Sequence, residues 1–335
     1  MRVLAITAMY PTPERPAWGT FVRSQVESLR KAGVDMEVLA LDGKPRKLIY
    51  PKGVLRLRRR LADGSIDLVH AHFSYVGMVA RTQWKVPVVV TYHGDDLLGT
   101  RTPDGRITAF SKIMVKVGQL LSNAVDAVIV QSKEMAGKLS RPDVNIIPHE
   151  VDFELFKPVD KGSARAILGL DPRKKYLLFA ASPRIPVKRF PFAKAVADYL
   201  EERDPSVELL VVHKEPQERL PLYMSAADAL VFPSYQEGSP NIVKQAMACN
   251  LPMVCTDVGD VREVVDGTRG CYICDPDVVE FAAKLNEILQ RGERTQGREL
   301  IRHLDGPNVA RRVIQVYEKV LGRESQASGT APRAA

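Results

Sequence analysis

The segment from Phe232 to Asn241 contains the residue types that a polar or anionic ligand requires. An apolar strand ends at Phe232, a loop rich in Ser, Gly and Pro follows, and a helix begins near Asn241. Free backbone N–H groups at a helix N-terminus bind such ligands, and the Glu237 carboxylate in the loop accepts hydrogen bonds from hydroxyl groups. Gln245 follows after seven intervening residues, one turn inside the helix and near the same ligand. A capped helix beside a solvated glutamate is the alternative interpretation.

A second group of charges lies in the segment Ser182–Arg189, between the predicted strand Tyr176–Ala181 and the predicted helix Phe190–Glu202. Parallel α/β folds bind phosphate groups at such a strand-to-helix turn. Arg184 can bind two oxygen atoms at once, and Lys188 adds a mobile point charge. The segment therefore predicts a phosphate site, with a basic surface loop as the alternative.

Two features of the first half also follow strands. His93 comes directly after the predicted strand Val86–Tyr92, at the strand end that faces the cleft of an α/β fold. The two acids that follow, Asp95 and Asp96, can bind ligand hydroxyls or cap the turn, and capping is favoured for Asp96. Gly19 opens the first long helix, where a glycine lets a ligand approach the backbone.

Short apolar strands alternate with helices along the whole chain, and most strands are apolar on successive residues, as in parallel sheets buried on both faces. The other predicted strands are Val3–Thr7, Met36–Leu41, Asp67–Ala71, Ala127–Val130, Val144–Ile147, Glu208–Val212, Ala229–Phe232, Pro252–Cys255 and Cys271–Ile273. The other predicted helices are Phe21–Lys31, Ser74–Arg81, Ile107–Ser122, Lys133–Leu139, Pro221–Ala226, Asn241–Ala248, Asp277–Gln290 and Asn308–Leu321. This pattern predicts two Rossmann-like, doubly wound α/β domains that face each other across a cleft.

The 335 residues suffice for about two domains. Residues 148–162 contain Pro and Gly without periodicity and are predicted as the linker. We expect a first domain over 1–150 and a second domain over 151–323, with helix 308–321 packing back on the first domain. Residues 324–335, rich in Ser, Ala and Gly, are predicted as a disordered tail.

Positive charge is concentrated in the first half. The chain carries a net charge of +8, with 22 Lys and Arg against 13 Asp and Glu in residues 1–149. The segment Lys44–Arg60 has eight basic residues, no acid and interleaved leucines, which favours an anionic membrane surface or a lipid-phosphate acceptor. A solvated helix face is the alternative, and nucleic acid is not expected because no aromatic stacking platform accompanies the charges. Four cysteines and a strand-like N-terminus favour the cytoplasm.

Two patterns that resemble metal sites have ordinary explanations. Asp275-Pro276-Asp277 matches the Asp-x-Asp pattern of metal-dependent enzymes but lies at a helix start, where it is predicted to cap the helix. Cys271 and Cys274 fall in a buried strand whose alternation sends the thiols apart, so zinc and disulfides are not expected.

The residues Glu237–Pro252 resemble the Glu-x7-Glu signature of the retaining glycosyltransferases of family 4, which have the GT-B architecture, and among them a subgroup associated with teichuronic acid biosynthesis. The resemblance extends to four further segments, namely Gly19-Thr20-Phe21, His93-Gly94-Asp95, Val151–Phe156 and Thr256–Asp260.

The resemblance implies a role for each charged candidate. His93 is expected to contact the donor sugar and to organise the acceptor side, and Glu237 to hold sugar hydroxyls. Arg184 and Lys188 are expected to neutralise the donor diphosphate as it leaves. Gln245 replaces the second Glu of the signature, which holds the nucleotide ribose, so a charge-assisted hydrogen bond is lost.

The implied reaction transfers a sugar from UDP or GDP to a hydroxyl acceptor, such as a lipid-linked or cell-envelope glycan precursor, without metal or cofactor. The resemblance makes 1–150 the acceptor-side domain and 151–323 the nucleotide-sugar donor domain. The Gly19 loop would close over the donor phosphate or the acceptor, and Arg189 could replace Arg184 because the family spacing is often one residue longer. The remaining donor-binding residues would be Gly238, Ser239, Pro240 and Asn241. A cytoplasmic enzyme peripheral to the inner membrane face fits this reaction; a nucleotide-sugar epimerase and a non-catalytic binding protein are the alternatives.

Overall fold

The computed structural model describes residues 1–15, 18–43, 48–102 and 105–322. The first-half strands are β1 Arg2–Thr7, β2 Asp35–Ala40, β3 Leu68–His72, β4 Val88–Thr91, β5 Ala127–Val130 and β6 Val144–Ile146. They form one parallel sheet in the order β2-β1-β3-β4-β5-β6. Its helices are α1 Thr20–Lys31, α2 Ile49–Arg60, α3 Ser74–Ala80, α4 Asp95–Leu98, α5 Ala109–Ser122 and α6 Lys133–Ala136.

The second-half strands are β7 Lys175–Phe179, β8 Val207–Val211, β9 Ala229–Phe232, β10 Met253–Cys255 and β11 Cys271–Ile273, in the parallel order β11-β10-β9-β7-β8. The helices are α7 Lys161–Leu168, α8 Phe190–Glu201, α9 Leu220–Ala226, α10 Asn241–Ala248, α11 Val261–Val265, α12 Val278–Arg291, α13 Gly297–Leu300 and α14 Gly306–Val320. Short 3-10 helices span Pro186–Lys188, Gln217–Arg219 and Arg302–Leu304. The strand order reverses at β1/β3 and at β7/β9, where open α/β sheets bind ligands.

Apolar side chains cover both faces of each sheet, because neighbouring residues of a strand point to opposite faces. In β1, Val3 packs with α1 and α14, whereas Leu4 belongs to the cluster on the opposite face. In β7, Leu177 and Leu178 likewise belong to clusters on opposite faces of the second sheet. These two parallel sheets confirm the predicted α/β class with two doubly wound domains.

Helix α14 crosses back to the first half of the chain. It packs against α1, and Val313 and Tyr317 are buried in the same cluster as Val3 and Leu29. The Tyr317 hydroxyl is hydrogen-bonded to Nδ1 of His70 at 2.6 Å. The first sheet is therefore covered partly by the last helix that the structure describes.

The structure differs from the predicted elements mainly at short helices. Helix α7 begins within the predicted linker, because the Asp160 side chain accepts a hydrogen bond from Ser163 N at 2.8 Å and caps it. The basic segment forms α2 from Ile49 onward, and residues 44–47 lie outside the described part of the chain, as does the predicted tail. None of the described helices has the length and apolar character needed to span a bilayer.

Candidate active site

The two domains touch through glycine backbone at the mouth of the cleft. A Cβ atom on Gly238 would lie 3.0 Å from the carbonyl oxygen of His93, and one on Gly94 would lie 3.3 Å from Gly238 N. Gly259 approaches from the other side, with φ of 61° and its own Cβ position 2.7 Å from Gly238 O. Side chains at these positions would force the loops apart, so glycine is required for this close approach.

Lys188 and Glu237 form an ion pair at the carboxyl ends of β7 and β9. Lys188 Nζ lies 2.5 Å from Glu237 Oε1, and the two side chains are only 25% and 15% exposed. The backbone of Tyr235 donates to Val187 O at 2.8 Å, which ties the two loops together. The fold thus joins the residues that sequence analysis assigned separately to diphosphate and to sugar.

Arg184 lies in the same loop as Lys188 but is exposed to solvent. Within the described residues its side chain has no hydrogen-bonding or ion-pair partner. Arg189 is committed elsewhere: it has φ of 53°, and its guanidinium lies 4.2 Å from the Tyr235 ring centroid and 4.9 Å from that of Phe192. Arg184 is therefore the cation of this loop that remains available to an incoming anion.

The Ser239 hydroxyl belongs to a buried hydrogen-bond network at the end of the loop that connects β9 to α10. It donates to Asp260 Oδ2 at 2.7 Å and accepts from Lys244, whose Nζ also lies 2.9 Å from Asp260 Oδ2. Lys244 is fully buried, and burial lowers its pKa despite the neighbouring carboxylate. Pro240 precedes α10 with φ of −70°, and because it has no N–H group it can donate no backbone hydrogen bond to a ligand.

Four groups form a hydrogen-bonded column that crosses the domain boundary. His72 Nδ1 lies 3.1 Å from His93 Nε2, His93 Nδ1 lies 3.1 Å from His149 Nε2, and His149 Nδ1 lies 3.1 Å from Asn241 Oδ1. Both ring nitrogens of His93 are thus occupied by other histidines. Burial lowers the pKa of His72 and of His149 to about 3 and that of His93 well below its usual value, so all three are neutral at pH 7.

The N-terminus of α1 holds this column from one side. The Phe21 ring stacks on His149 with a centroid separation of 5.1 Å and lies 4.9 Å from the His93 ring. Gly19 has φ of 71°, and a Cβ atom there would overlap the Met9 carbonyl. Glycine at this position lets the loop after β1 fold tightly enough to bring Phe21 to the histidines.

Gln245 lines a cavity of about 390 Å³ between α1, α10 and the loop after β8. Asn241, Ser24 and Lys214 line the same cavity. Neither Lys188 nor Glu237 lines this cavity. Gln245 and Asn241 therefore share a space that is separate from the ion pair.

The two aspartates after His93 have different environments. Asp96 accepts from His93 N at 3.0 Å and from Ser74 N at 3.1 Å, so it caps the turn and the start of α3. Desolvation, followed by the negative charge of Glu237, raises the pKa of Asp95. Asp96 is therefore a structural cap, as predicted, and Asp95 is the acid that faces the candidate site.

The other predicted cap is also confirmed, since Asp277 accepts from Val279 N and Glu280 N, each at 2.9 Å. The four cysteines are free thiols. In the described part of the chain, no cluster of three His, Cys, Asp or Glu side chains is arranged to hold a metal ion.

Sequence analysis missed His72, His149 and the clasp between Arg101 and Gln236. Arg101 Nε donates to Gln236 Oε1 at 2.7 Å, and Gln236 Nε2 donates to Gly99 O at 2.8 Å. His72 ends β3, which pairs directly with β4, the strand before His93. Adjacent strand ends were the available signal for that pair, whereas no local pattern marks the contacts between domains.

Two family models match the chain. The model described as Glycosyltransferase Family 4 matches residues 18–155, and the model described as Glycosyl transferases group 1 matches residues 177–291. The chain is 28% identical over 344 residues to D-inositol 3-phosphate glycosyltransferase of Mycobacterium sp. (strain KMS), covering 89% of this chain and 75% of the relative. It is 26% identical over 360 residues to the teichuronic acid biosynthesis protein TuaC of Bacillus subtilis (strain 168), covering 88% and 90%.

Solved structures share the whole architecture. Sucrose-phosphate synthase of Thermosynechococcus elongatus superposes with a TM-score of 0.78 at 20% identity, over 96% of this chain and 100% of that one. HepE of Anabaena superposes with a TM-score of 0.69 at 17% identity, over 95% and 100%. These likenesses establish the GT-B fold. Because family models match both halves of the chain, this protein belongs to the family 4 and group 1 glycosyltransferases.

Proposed function

We propose that this protein is a retaining, metal-independent glycosyltransferase that moves a sugar from a UDP- or GDP-linked donor to a hydroxyl acceptor. The observation that carries the proposal is the Lys188–Glu237 ion pair between the loops after β7 and β9, with Arg184 exposed in the same loop as Lys188. HepE of Anabaena, which shares the fold, has been solved in complex with UDP and with UDP-glucose. A nucleotide diphosphate sugar has both a dianionic group for the cations and hydroxyl groups for the carboxylate.

Donor binding must change the Lys188–Glu237 ion pair. A diphosphate beside Lys188 offers two negative charges where Glu237 offers one, so the ammonium group shifts toward it. The released carboxylate then accepts hydrogen bonds from sugar hydroxyls. Exposed Arg184 can close on the other phosphate oxygens. The ion pair is thus the resting form of a site that separates its charges when substrate arrives.

Charge development during transfer explains the choice of residues. As the bond from the anomeric carbon to the diphosphate breaks, negative charge grows on the leaving phosphate oxygen, and Lys188 and Arg184 stabilise it. The same oxygen takes the proton from the acceptor hydroxyl on the same face of the sugar, which retains the configuration. Backbone N–H groups of Ser239 and Asn241 and the His93 turn complete the sugar site.

The proposal assigns the nucleoside end of the donor to the cavity that Gln245 and Asn241 line. Gln245 would bind the ribose hydroxyls through its amide, and the loop after β8, including Lys214, would lie along the base. The His72–His93–His149 column is proposed to hold the acceptor-side wall in one arrangement.

The basic helix α2 is proposed to contact an anionic membrane surface, at the cytoplasmic face, where a lipid-linked acceptor would be presented. Part of its charge is already neutralised: Arg60 lies 2.6 Å from Glu37, and Arg56 lies 3.3 Å from Asp42. Lys52 and Arg59 remain exposed. The contact would be weaker than the count of basic residues suggests.

The proposal is tested by incubating the protein with a panel of UDP- and GDP-sugars and hydroxyl acceptors. Release of nucleoside diphosphate together with a glycosylated product of unchanged anomeric configuration is the expected result. An epimerised donor would identify an epimerase, and an unchanged donor that still raises the melting temperature would identify a binding protein. A ligand at about 100 times its Kd stabilises the fold by about 2.7 kcal/mol, so thermal shift selects the panel.

A further inference from the structure

Helix α5 carries its large apolar side chains on the outside of the protein. Phe110, Ile113 and Leu120 are 67%, 61% and 71% exposed. Their spacing of three and seven residues places them on one stripe of the helix. A surface helix of a globular domain normally turns such a stripe toward the core.

The buried face of α5 carries small residues and one leucine. Ser111, Gly118, Leu121 and Ser122 are buried, and a Cβ atom on Gly118 would lie 2.9 Å from Asp96 O. The Tyr92 hydroxyl donates to Gly118 O at 2.7 Å. The helix backbone is therefore held close against the domain at Gly118, and Leu121 is the large apolar side chain that α5 buries in the core.

The charges beside the apolar stripe are all positive. Lys112 and Lys116 are exposed, four residues apart, and α5 contains no acidic residue. Neither lysine has an ion-pair partner among the residues that the structure describes. The surface therefore combines uncovered apolar groups with uncompensated positive charge.

We propose that α5 lies in the surface of an anionic lipid bilayer, with Phe110, Ile113 and Leu120 among the acyl chains and Lys112 and Lys116 at the lipid phosphates. An interfacial helix has this combination of an apolar stripe with flanking lysines. The inference deepens the membrane contact proposed for α2 by naming the side chains that enter the lipid, and it does not depend on the transfer chemistry.

A second copy of the chain fits this surface less well. A two-fold interface through the stripe would bring Lys112 and Lys116 of both copies together, and like charges repel. Three side chains also cover much less than the roughly 800 Å² per partner of a standard protein interface. An anionic bilayer removes both objections, because it supplies the opposite charge and needs no complementary shape.

The position of α5 connects the surface to the candidate site. Helix α3 packs between α2 and α5, so the basic helix and the apolar stripe belong to one helical layer. The segment before α5 contains Arg101, which is bound to Gln236 next to Glu237. A lipid-anchored α5 would hold the mouth of the cleft close to the bilayer.

The test is vesicle co-sedimentation of the full chain, with phosphatidylcholine vesicles that either contain or lack phosphatidylglycerol. The triple variant Phe110→Ser, Ile113→Ser, Leu120→Ser should lose binding to anionic vesicles by about tenfold or more. The matched control removes as many exposed apolar side chains from the second domain and should bind like wild type; it combines Ile167→Ser, Val279→Ser and Leu300→Ser.

Three other outcomes of these measurements bear on the membrane contact of α5. Equal binding of wild type and the α5 variant, or equal binding to neutral and anionic vesicles, overturns the proposal. A change from dimer to monomer in the α5 variant, without vesicle binding by wild type, identifies a second copy as the partner. Transfer to a water-soluble acceptor should survive in the α5 variant, whereas Glu237→Gln should lose transfer and keep vesicle binding, which separates this proposal from the catalytic one.

Discussion

The two walls of the cleft satisfy their polar groups in different ways. On the first-domain wall, His93 is bonded on both sides, to His72 and to His149. On the second-domain wall, Arg184 is exposed with no partner among the described residues, and the Lys188 side chain is held in its ion pair with Glu237. A wall of neutral, mutually bonded groups is fixed before any ligand arrives, whereas a wall with an exposed cation and an ion pair can respond to a negative charge. We therefore propose that the first wall fixes the geometry of the cleft and that the second wall receives the diphosphate.

The largest effect is expected at the junction of the two walls. Glu237→Gln keeps the shape but removes the charge that holds Lys188 and accepts sugar hydroxyls, so transfer should be abolished in a folded protein. Product formation is the measurement. Glu208→Gln, on the exposed side of β8, is the matched control. An unchanged transfer rate for Glu237→Gln would remove this residue from the site.

The second largest effect on transfer is expected for Arg184 and Lys188, the cations of the second-domain wall. Arg184→Ala and Lys188→Ala should each cost about 2–4 kcal/mol of transition-state stabilisation, measured as kcat/KM. Lys194→Ala breaks a comparable but exposed ion pair, with Asp198 at 2.7 Å, and should leave transfer intact. If the donor KM rises while kcat is kept, the two cations bind the ground state and do not stabilise the leaving group.

The free energy of unfolding should depend on pH because of the buried histidines of the first-domain wall. Below pH 6.5 the unfolded chain protonates its histidines, whereas His72 and His149 stay neutral in the folded protein because burial lowers their pKa to about 3. The free energy of unfolding should therefore fall by about 1.4 kcal/mol per histidine for each pH unit below 6.5.

This acid sensitivity is measured by urea unfolding at several pH values. His149→Gln should show a shallower fall than wild type, and His303→Gln, at an exposed position, is the control. The difference between proteins is the informative quantity, because burial raises the pKa of Asp96 to about 7 and this acts in the opposite direction. A fall of equal steepness in His149→Gln and wild type would contradict the assignment of a neutral column.

The smallest effect concerns the ribose. Gln245→Glu should tighten donor binding by about 1 kcal/mol through charge-assisted hydrogen bonds, measured by calorimetry. Gln290→Glu on the exposed side of α12 is the control for added charge. Equal or weaker affinity would show that Gln245 does not face the ribose.

Sequence patterns were sufficient for the sheets because fully buried parallel strands leave runs of apolar residues. The bounds of Ala127–Val130, Ala229–Phe232 and Asn241–Ala248 agree to the residue. The short helices α4 and α11, of four and five residues, were missed because they contain too few turns to show a period.

The candidate residues were identifiable one by one, but their pairing was not. Lys188 and Glu237 are 49 residues apart, and His149 and Asn241 are 92 apart. Such contacts depend on how two domains meet, which local spacing does not encode. The contacts of Ser239 were not predictable from local spacing either. The fold places Lys244 and Asp260 against its hydroxyl.

The return of α14 to the first sheet also bears on how the protein is made. The cluster beneath β1 and β3 is completed by Val309, Val313 and Tyr317, which leave the ribosome after the entire second sheet. Domains usually fold in the order of their synthesis, the N-terminal one first. Here the second domain has its full set of strands before the first has its last helix. A nascent chain therefore leaves part of one apolar face of its first sheet uncovered throughout the synthesis of the second sheet.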